Sequence, residues 1–342
     1  MNSHDQMMTD VYKKIYGDFY SFREDALDYS RKIIKKNLAE SEISLKELRN
    51  FNVLNVGPAR EAKTFVDLGA SNVYHFDISE VAVNTLEELK KNGEYNNLHT
   101  KKINICIPGS IKTDSNIDYV YLAGVLHHLQ DPEQAMFNIF SCLSESPKLY
   151  FRIYKSGSFG FYVVDFIRKL IDYSFIDEIY EEVKNVKEMH SEIDDERANS
   201  ILSDLHDDFF VPVLNLFDPN EIDDFFNRSD FTRIHNKNEM IGASSQGSSL
   251  IYKSPKFSSK INNQTQFPGH IDQIDGIDYK EEFILKTNNI MREILKNKRD
   301  YSRSRIVKLV TRLYPLSQLI RKEYQEPSEK NHKLLQEHLE SI

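Results

Sequence analysis

Cysteine is scarce in this chain, and its scarcity excludes a good deal. Of 342 residues only two are cysteine, Cys106 and Cys142, both in apolar stretches. Two distant thiols in such a setting read as small buried hydrophobes, so neither a disulfide framework nor a thiolate metal site is expected. Long hydrophobic runs are missing as well. No stretch is long enough to cross a bilayer, and the opening MNSHDQMMTDVYKK has no apolar centre of the kind that marks a secretory leader. The expected location is therefore cytoplasmic. Net positive charge is also lacking: 44 Lys and Arg stand against 53 Asp and Glu, a formal charge of −9. An acidic chain gains nothing from the phosphate field of nucleic acid, which argues against nucleic acid as a partner. There is no internal repeat and no low-complexity tract.

What remains is a long, well-mixed globular chain. At 40% hydrophobic and 28% charged residues it can bury a sizeable core and stay in solution. Its length suggests one core domain with substantial additions, or two domains. Charge is spread unevenly. Residues 177–208 hold twelve acids against three bases, and residues 296–322 hold nine Lys and Arg against one Asp.

Periodicity gives the organisation. Residues 1–50 read as a helical cap, with Phe19, Leu27, Ile33, Ile34 and Leu38 on its buried side. From residue 51 the texture changes. FNVLNVG is a short apolar run ending in glycine, the mark of a buried parallel strand. A helix over roughly 60–68 follows, then strand NVYHFD ending at Asp77, then a helix capped by Ser79 and carrying Ala82, Leu86 and Leu89. A weaker strand lies near 99–103, and IDYVYLAG, 117–124, reads as the central strand. Asp131, Pro132 and Gln134 mark a helix start, with Ala135, Met136, Ile139, Phe140 and Leu143 as its apolar face. Strand 148–154 follows. The alternation breaks over 155–213, an aromatic and then acidic helical insertion. It resumes at Asp218, Pro219 and Glu221, which repeat the capping pattern. Strands 231–236 and 247–253 have no helix between them and are expected to pair antiparallel. The fold class is thus α/β, a doubly wound and mostly parallel sheet with a terminal antiparallel pair. The core spans 51–255, and 256–342 is a linker with a helical C-terminal extension.

The chemistry is expected where the sheet's strands end. Gly57 closes the first strand, where a glycine lets backbone approach a ligand closely. Asp77 closes the second, twenty positions on, where a carboxylate can accept both hydroxyls of a ribose. That pairing is the general logic of adenosine-bearing cofactors. It is also met by a simple turn and a helix N-cap, and Gly57-x-Ala59-x-x-Ala62 passes for a degenerate dinucleotide fingerprint. Two further features separate the readings. One is Gly124-Val125-Leu126-His127-His128-Leu129-Gln130-Asp131-Pro132 after the central strand; the other is the terminal antiparallel pair. Together with Gly57 and Asp77 they resemble the class I S-adenosylmethionine-dependent methyltransferases, most closely the small-molecule and quinone-biosynthesis branch, over about 51–154 and 214–253.

The resemblance implies a cofactor, S-adenosylmethionine, and places it by position. Gly57, Pro58 and Ala59 would lie against its methionine part. Asp77 would hold the ribose, and Ile78 would lie under the adenine. Asn104 and Ile105 would flank the adenine amine, with Gly124, Val125 and His128 near the sulfonium. The chain departs from the family pattern in its first loop, where Asn55 replaces an acid and Ala59 and Glu61 replace glycines; Asn104 replaces a second acid. Two lost carboxylates imply weaker attraction for a cationic cofactor.

Methyl transfer needs alignment and a dry site more than a strong base, unless the acceptor must lose a proton. His127, His128 and His206 are the candidates for such a base. Tyr154, Phe159, Phe161, Tyr162, His206 and Asp207 are the candidates for contact with a small-molecule or carrier-linked acceptor, as parts of a lid. The same aromatics also suit the insertion's own core. His190, His206, Asp207 and Asp208 would make a metal site only by folding back, and no metal is expected. Near the C-terminus Ile306, Leu309, Val310 and Leu313 share a helical face, with Arg303, Arg305, Lys308 and Arg312 away from it. Such a segment, 303–322, suits peripheral membrane contact, packing on the domain, or a homodimer. Competing with methyl transfer are a nicotinamide-dependent oxidoreductase and a non-catalytic binding protein that kept the fold.

Overall fold

The computed structural model describes residues 22, 24–91, 93, 95–156, 159–189, 207–234, 247–257, 266–270, 282–313, 329, 333 and 337. A cap helix α1 (Glu24–Glu40) and a single turn α2 (Leu45–Leu48) lead into strand β1 (Asn52–Val56). Then come α3 (Ala59–Asp67), β2 (Asn72–Asp77), α4 (Glu80–Lys91), β3 (Leu98–Lys102) and β4 (Ile117–Ala123). A 3₁₀ turn Leu126–His128 and α5 (Pro132–Phe140) precede β5 (Leu143–Tyr154). After the insertion come α8 (Pro219–Arg228), β6 (Thr232–Arg233) and β7 (Gly247–Lys253), the labels α6 and α7 being kept for insertion helices Phe159–Leu170 and Ile176–Met189. The sheet order is β3-β2-β1-β4-β5-β7-β6. β1 to β5 are parallel, and β7 runs antiparallel to both β5 and β6. Fold class and strand pairing are as the sequence implies, although β5 starts earlier than expected and residues 235–236 fall outside the described ones.

Two buried faces explain the apolar strands. Along β4, Tyr119 and Tyr121 join one core with Phe65 of α3 and Leu86 of α4. Val120 and Leu122 join the opposite core with Met136, Ile139 and Phe140 of α5 and Phe225 and Phe226 of α8. Successive side chains of a strand point to opposite faces, so a strand covered on both sides must be apolar throughout. Helix starts follow the sequence signals. Asp131 Oδ1 accepts from the Gln134 amide at 2.9 Å, and Asp218 Oδ1 accepts from the Asn220 amide at 2.8 Å.

The cap helix has a task that its apolar pattern does not reveal. Leu27, Ile34 and Leu38 are buried as expected, but so are Ser30 and Asn37. Asn37 Nδ2 donates to the Tyr121 hydroxyl at 2.8 Å, and Ser41 Oγ lies 3.2 Å from that of Tyr119. A buried tyrosine hydroxyl left unmet costs about 1–3 kcal/mol, so polar residues on the buried side of α1 are what allow tyrosines under it.

The chain divides into two compact units. The first comprises the described residues within Met1–Tyr154, Pro212–Glu239 and Gly247–Ile271, and carries the whole sheet. The second comprises the described residues within Lys155–Val211 and Asp272–Ile342. Insertion and C-terminal extension, treated separately in sequence, thus form one helical body. In it Tyr162 Oη donates to Asn288 Oδ1 of α9 (Glu282–Asn297) at 2.6 Å. In the helix over 303–313, Ile306, Leu309, Val310 and Leu313 are buried, as a helix packed on its own domain requires. Arg303 Nε bonds Glu178 Oε1 at 2.6 Å, and its guanidinium lies 3.9 Å from the Phe175 ring centroid. No helix among the described residues is long and apolar enough to cross a membrane.

Candidate functional site

In an open parallel sheet a ligand cleft forms at the carboxyl edge, where strand order reverses. Here that point lies between β1 and β4, since β2 and β3 extend to one side of β1, and β4 and β5 to the other. Two glycines flank it. Gly57 follows β1 with φ +128°, and Gly124 follows β4 with φ +81°. Both values lie where side chains with a Cβ are strained. A Cβ at Gly57 would meet Val125 Cγ2 at 3.0 Å, whereas one at Gly124 would find no heavy atom within 4 Å.

Asp77 stands beside Gly57. Val56 pairs with Phe76, so the next residues, Gly57 just past β1 and Asp77 at the end of β2, follow side by side at the carboxyl edge. Asp77 is buried, and its Oδ1 accepts from the Ser79 amide at 2.6 Å. Half-buried Ile78 follows it. Asn104, after β3, folds its Oδ1 back onto the Cys106 amide at 2.9 Å. Ile105 departs from expectation: its side chain is 3% exposed and packs in the core, and its carbonyl accepts from Asn138 Nδ2 at 2.7 Å. An isoleucine flanked by buried Ile111 and Ile139 in that core gains more there than against a ligand.

A buried polar chain runs under the glycine turn. His75 Nδ1 lies 2.9 Å from Asn55 Oδ1, and Asn55 Nδ2 donates to Glu61 Oε2 at 3.2 Å. Burial drives the His75 pKa down to about 3, so the ring is neutral and its Nδ1–H is the donor. The Asn55 amide is then fixed with its NH₂ toward Glu61. Glu61 occupies the third position of α3, from which a glutamate reaches back toward the helix start. Its carboxyl Oε2 would be 3.9 Å from a Cβ on Gly57. The residue is half-buried, and desolvation pushes the pKa of its carboxyl up to about 7 against the opposing pull of Arg60, Asn55 and Arg152. Sequence reasoning counted Glu61 only as a lost glycine; the reach-back habit of a glutamate at that helical position was the available signal.

This pKa has a consequence for the free protein. A carboxyl raised above its unfolded value near 4.5 binds more protons folded than unfolded, so its effect on stability is neutral below about pH 4.5 and turns unfavourable as pH rises through 7. Glu61→Gln is therefore expected to raise the Tm of the ligand-free protein by a few degrees at pH 8, on the order of 2 kcal/mol, and to change nothing at pH 4.5. Thermal melts of both proteins at the two pH values check this; an equal shift at both would mean the carboxyl is not desolvated.

The two histidines after β4 differ. His127 is fully buried, stacks on Tyr154 with ring centroids 3.5 Å apart, and its Nδ1 accepts from the Tyr154 amide at 3.2 Å. Its lone pair is engaged, and burial drives its pKa well down. It is built into the loop, and Tyr154 is engaged with it. His128 Nδ1 lies 2.9 Å from the Val213 carbonyl, to which it donates. His206 and the Phe159 side chain lie outside the described residues. Phe161 and Tyr162, 2% and 7% exposed, are spent on the second unit's own core rather than on an open acceptor surface; Val163, Val164 and Ile167 beside them are as buried. Asp207 is half-buried in the same unit. Among the described residues no three His, Cys, Asp or Glu side chains cluster to hold a metal ion; His190 and His206 are not among them.

The strand order and the helices on both faces of the sheet make this an α/β fold of the Rossmann-like methyltransferase type. A family model for a methyltransferase domain matches residues 54–151, from β1 to β5. No curated protein matches the chain significantly. Among solved structures, magnesium protoporphyrin IX methyltransferase from Synechocystis with bound S-adenosylhomocysteine is 12% identical, covering 72% of this chain and 93% of its own, with a TM-score of 0.41. The N-methyltransferase NodS from Bradyrhizobium japonicum, in complex with the same compound, is 10% identical over 73% of this chain and 99% of its own, with a TM-score of 0.39.

Proposed function

We propose that this chain transfers a methyl group from S-adenosylmethionine to an O, N or C atom of a small organic or carrier-linked acceptor. The observation that carries the reading is the pairing of Gly57, bare of side chain at φ +128°, with buried Asp77 at the β1–β4 reversal. The residues fit the donor's chemistry. Asp77 offers a carboxylate to a ribose diol, the space above Gly124 is open, and the Glu61 carboxyl faces the turn where a cationic group would rest. Pro58 and Ala59 open the helix behind that turn, and Val125 leans over it. The cofactor supplies an activated methyl for in-line displacement; the chain's part is to hold it and exclude water. Where the acceptor must shed a proton, His128 remains the candidate base, His127 Nδ1 being taken by the Tyr154 amide. The narrower quinone-biosynthesis likeness rests on the Leu126–Pro132 stretch. The basic residues of 303–322 retain a role at an anionic surface only through charge, because the apolar face over 306–313 is buried.

Calorimetric titration and thermal melts of the full chain with S-adenosylhomocysteine test this. Binding is expected, with a gain of about 2.7 kcal/mol at a hundredfold excess over Kd, while NAD and NADH leave the Tm unchanged. A response to the nicotinamide cofactors would turn the assignment toward an oxidoreductase. No response to S-adenosylhomocysteine at millimolar concentration would make the fold a non-catalytic scaffold.

A further inference from the structure

Glu61 is oddly placed for a structural residue. Its half-buried side chain makes one long hydrogen bond of 3.2 Å to Asn55 Nδ2 and has no ion pair among the described residues. A desolvated carboxylate this poorly compensated is unfavourable in the free protein, and such groups concentrate where a ligand completes them. Its neighbours point to the same use. His75 and Asn55 form a relay that ends on one Glu61 oxygen and orients the carboxylate. The group lies beside Gly57, at the turn bare of side chain, and not at the Asp77 end that would take a ribose.

We propose that Glu61 is the acceptor for the ammonium group at the amino-acid end of the methyl donor, standing in for the strand-end acid that Asn55 replaces. This rests on the reading of the cleft as an S-adenosylmethionine site. The cation reaches a carboxylate delivered from the first turn of α3 instead of from β1. The substitutions at 55 and 61 are therefore one change: the charge has moved by six residues and has not been lost. The charged and titratable groups around Glu61 are Arg60 on α3, Arg152 on β5, His75 on β2 and the hydroxyls of Tyr119, Tyr121 and Tyr150. The histidine stays neutral and burial pushes the phenols up, so from pH 6 to 8 Glu61 is the member of this set that changes charge.

The test compares two ligands that differ only at the amino-acid end. S-Adenosylhomocysteine carries the ammonium; 5′-methylthioadenosine has the same nucleoside and lacks it. In titration calorimetry on the full chain, Glu61→Gln is expected to weaken the first at least tenfold at pH 8 and to leave the second within about twofold. Wild-type affinity for S-adenosylhomocysteine is expected to rise about tenfold from pH 6 to 8, with no such rise for methylthioadenosine or in the variant. Equal weakening of both ligands would reduce Glu61 to a support of the turn, and unchanged affinity for both would remove it from the site; either overturns the proposal while leaving the cofactor assignment standing. Failure of wild type to bind either ligand would instead overturn the cofactor assignment and the proposal with it.

Discussion

Gly57→Ala is expected to abolish S-adenosylhomocysteine binding, on the order of a 100-fold loss, and to lower the Tm of the free protein at the same time. Two causes act together. At φ +128° an alanine is strained by about 1–3 kcal/mol, a fall of roughly 2–10 °C in Tm for a unit of this size. The new methyl would also sit 3.0 Å from Val125 Cγ2, so the stiff β-branched side chain after β4 must give way across the cleft. Gly69→Ala separates the two effects. Gly69 has φ +93° and lies in the turn before β2, at the opposite edge of the sheet, with only Arg49 side-chain atoms within 4 Å. It should destabilise similarly and leave binding untouched. Melts with and without S-adenosylhomocysteine give both quantities for each variant. If Gly57→Ala keeps the full ligand-induced rise in Tm, the glycine turn does not hold the donor.

The sheet was legible because its strands are covered on both faces. Continuous apolar runs such as 117–123 and capping acids such as Asp131 and Asp218 leave few alternatives, and the antiparallel end follows from the lack of a helical sequence pattern ahead of β7. The strand ends were legible for the same reason: a strand that ends in glycine and a neighbour that ends in aspartate are local facts, and parallel pairing aligns them. What sequence could not supply was any contact made across the fold. Ile105 reads as a loop residue beside Asn104, yet it completes a core assembled from β4 and α5. Phe161 and Tyr162 read equally well as acceptor contacts or as packing, and only the joining of the insertion with α9 and the 303–313 helix into one unit makes them packing. His127 and His128, adjacent in sequence, part company through hydrogen bonds to Tyr154 and Val213. The Glu61 carboxyl returns to Asn55 six residues back, a contact between two departures from the family pattern that spacing alone does not announce.

Asp77→Asn separates the ribose end from that exchange. The Asp77 Oδ1 acceptor for the Ser79 amide survives in asparagine, whose carbonyl can take the same 2.6 Å bond, and the Ile103 amide still bonds the backbone oxygen of residue 77 at 2.9 Å. The start of α4 and the β2–β3 edge are thus retained. The second carboxylate oxygen becomes an NH₂ group, which cannot accept from a hydroxyl. A ribose diol then loses a charge-assisted acceptor and faces a donor instead, a change of about 3 kcal/mol or 100-fold in Kd. Because the damage lies in the nucleoside part, S-adenosylhomocysteine and 5′-methylthioadenosine should weaken by the same factor, whereas Glu61→Gln weakens only the first. Calorimetry with both ligands on both variants therefore maps the two ends of the donor onto two strand-end turns. Unchanged affinity in Asp77→Asn, with folding intact, would leave Asp77 as no more than the cap of α4 and move the nucleoside elsewhere along the carboxyl edge.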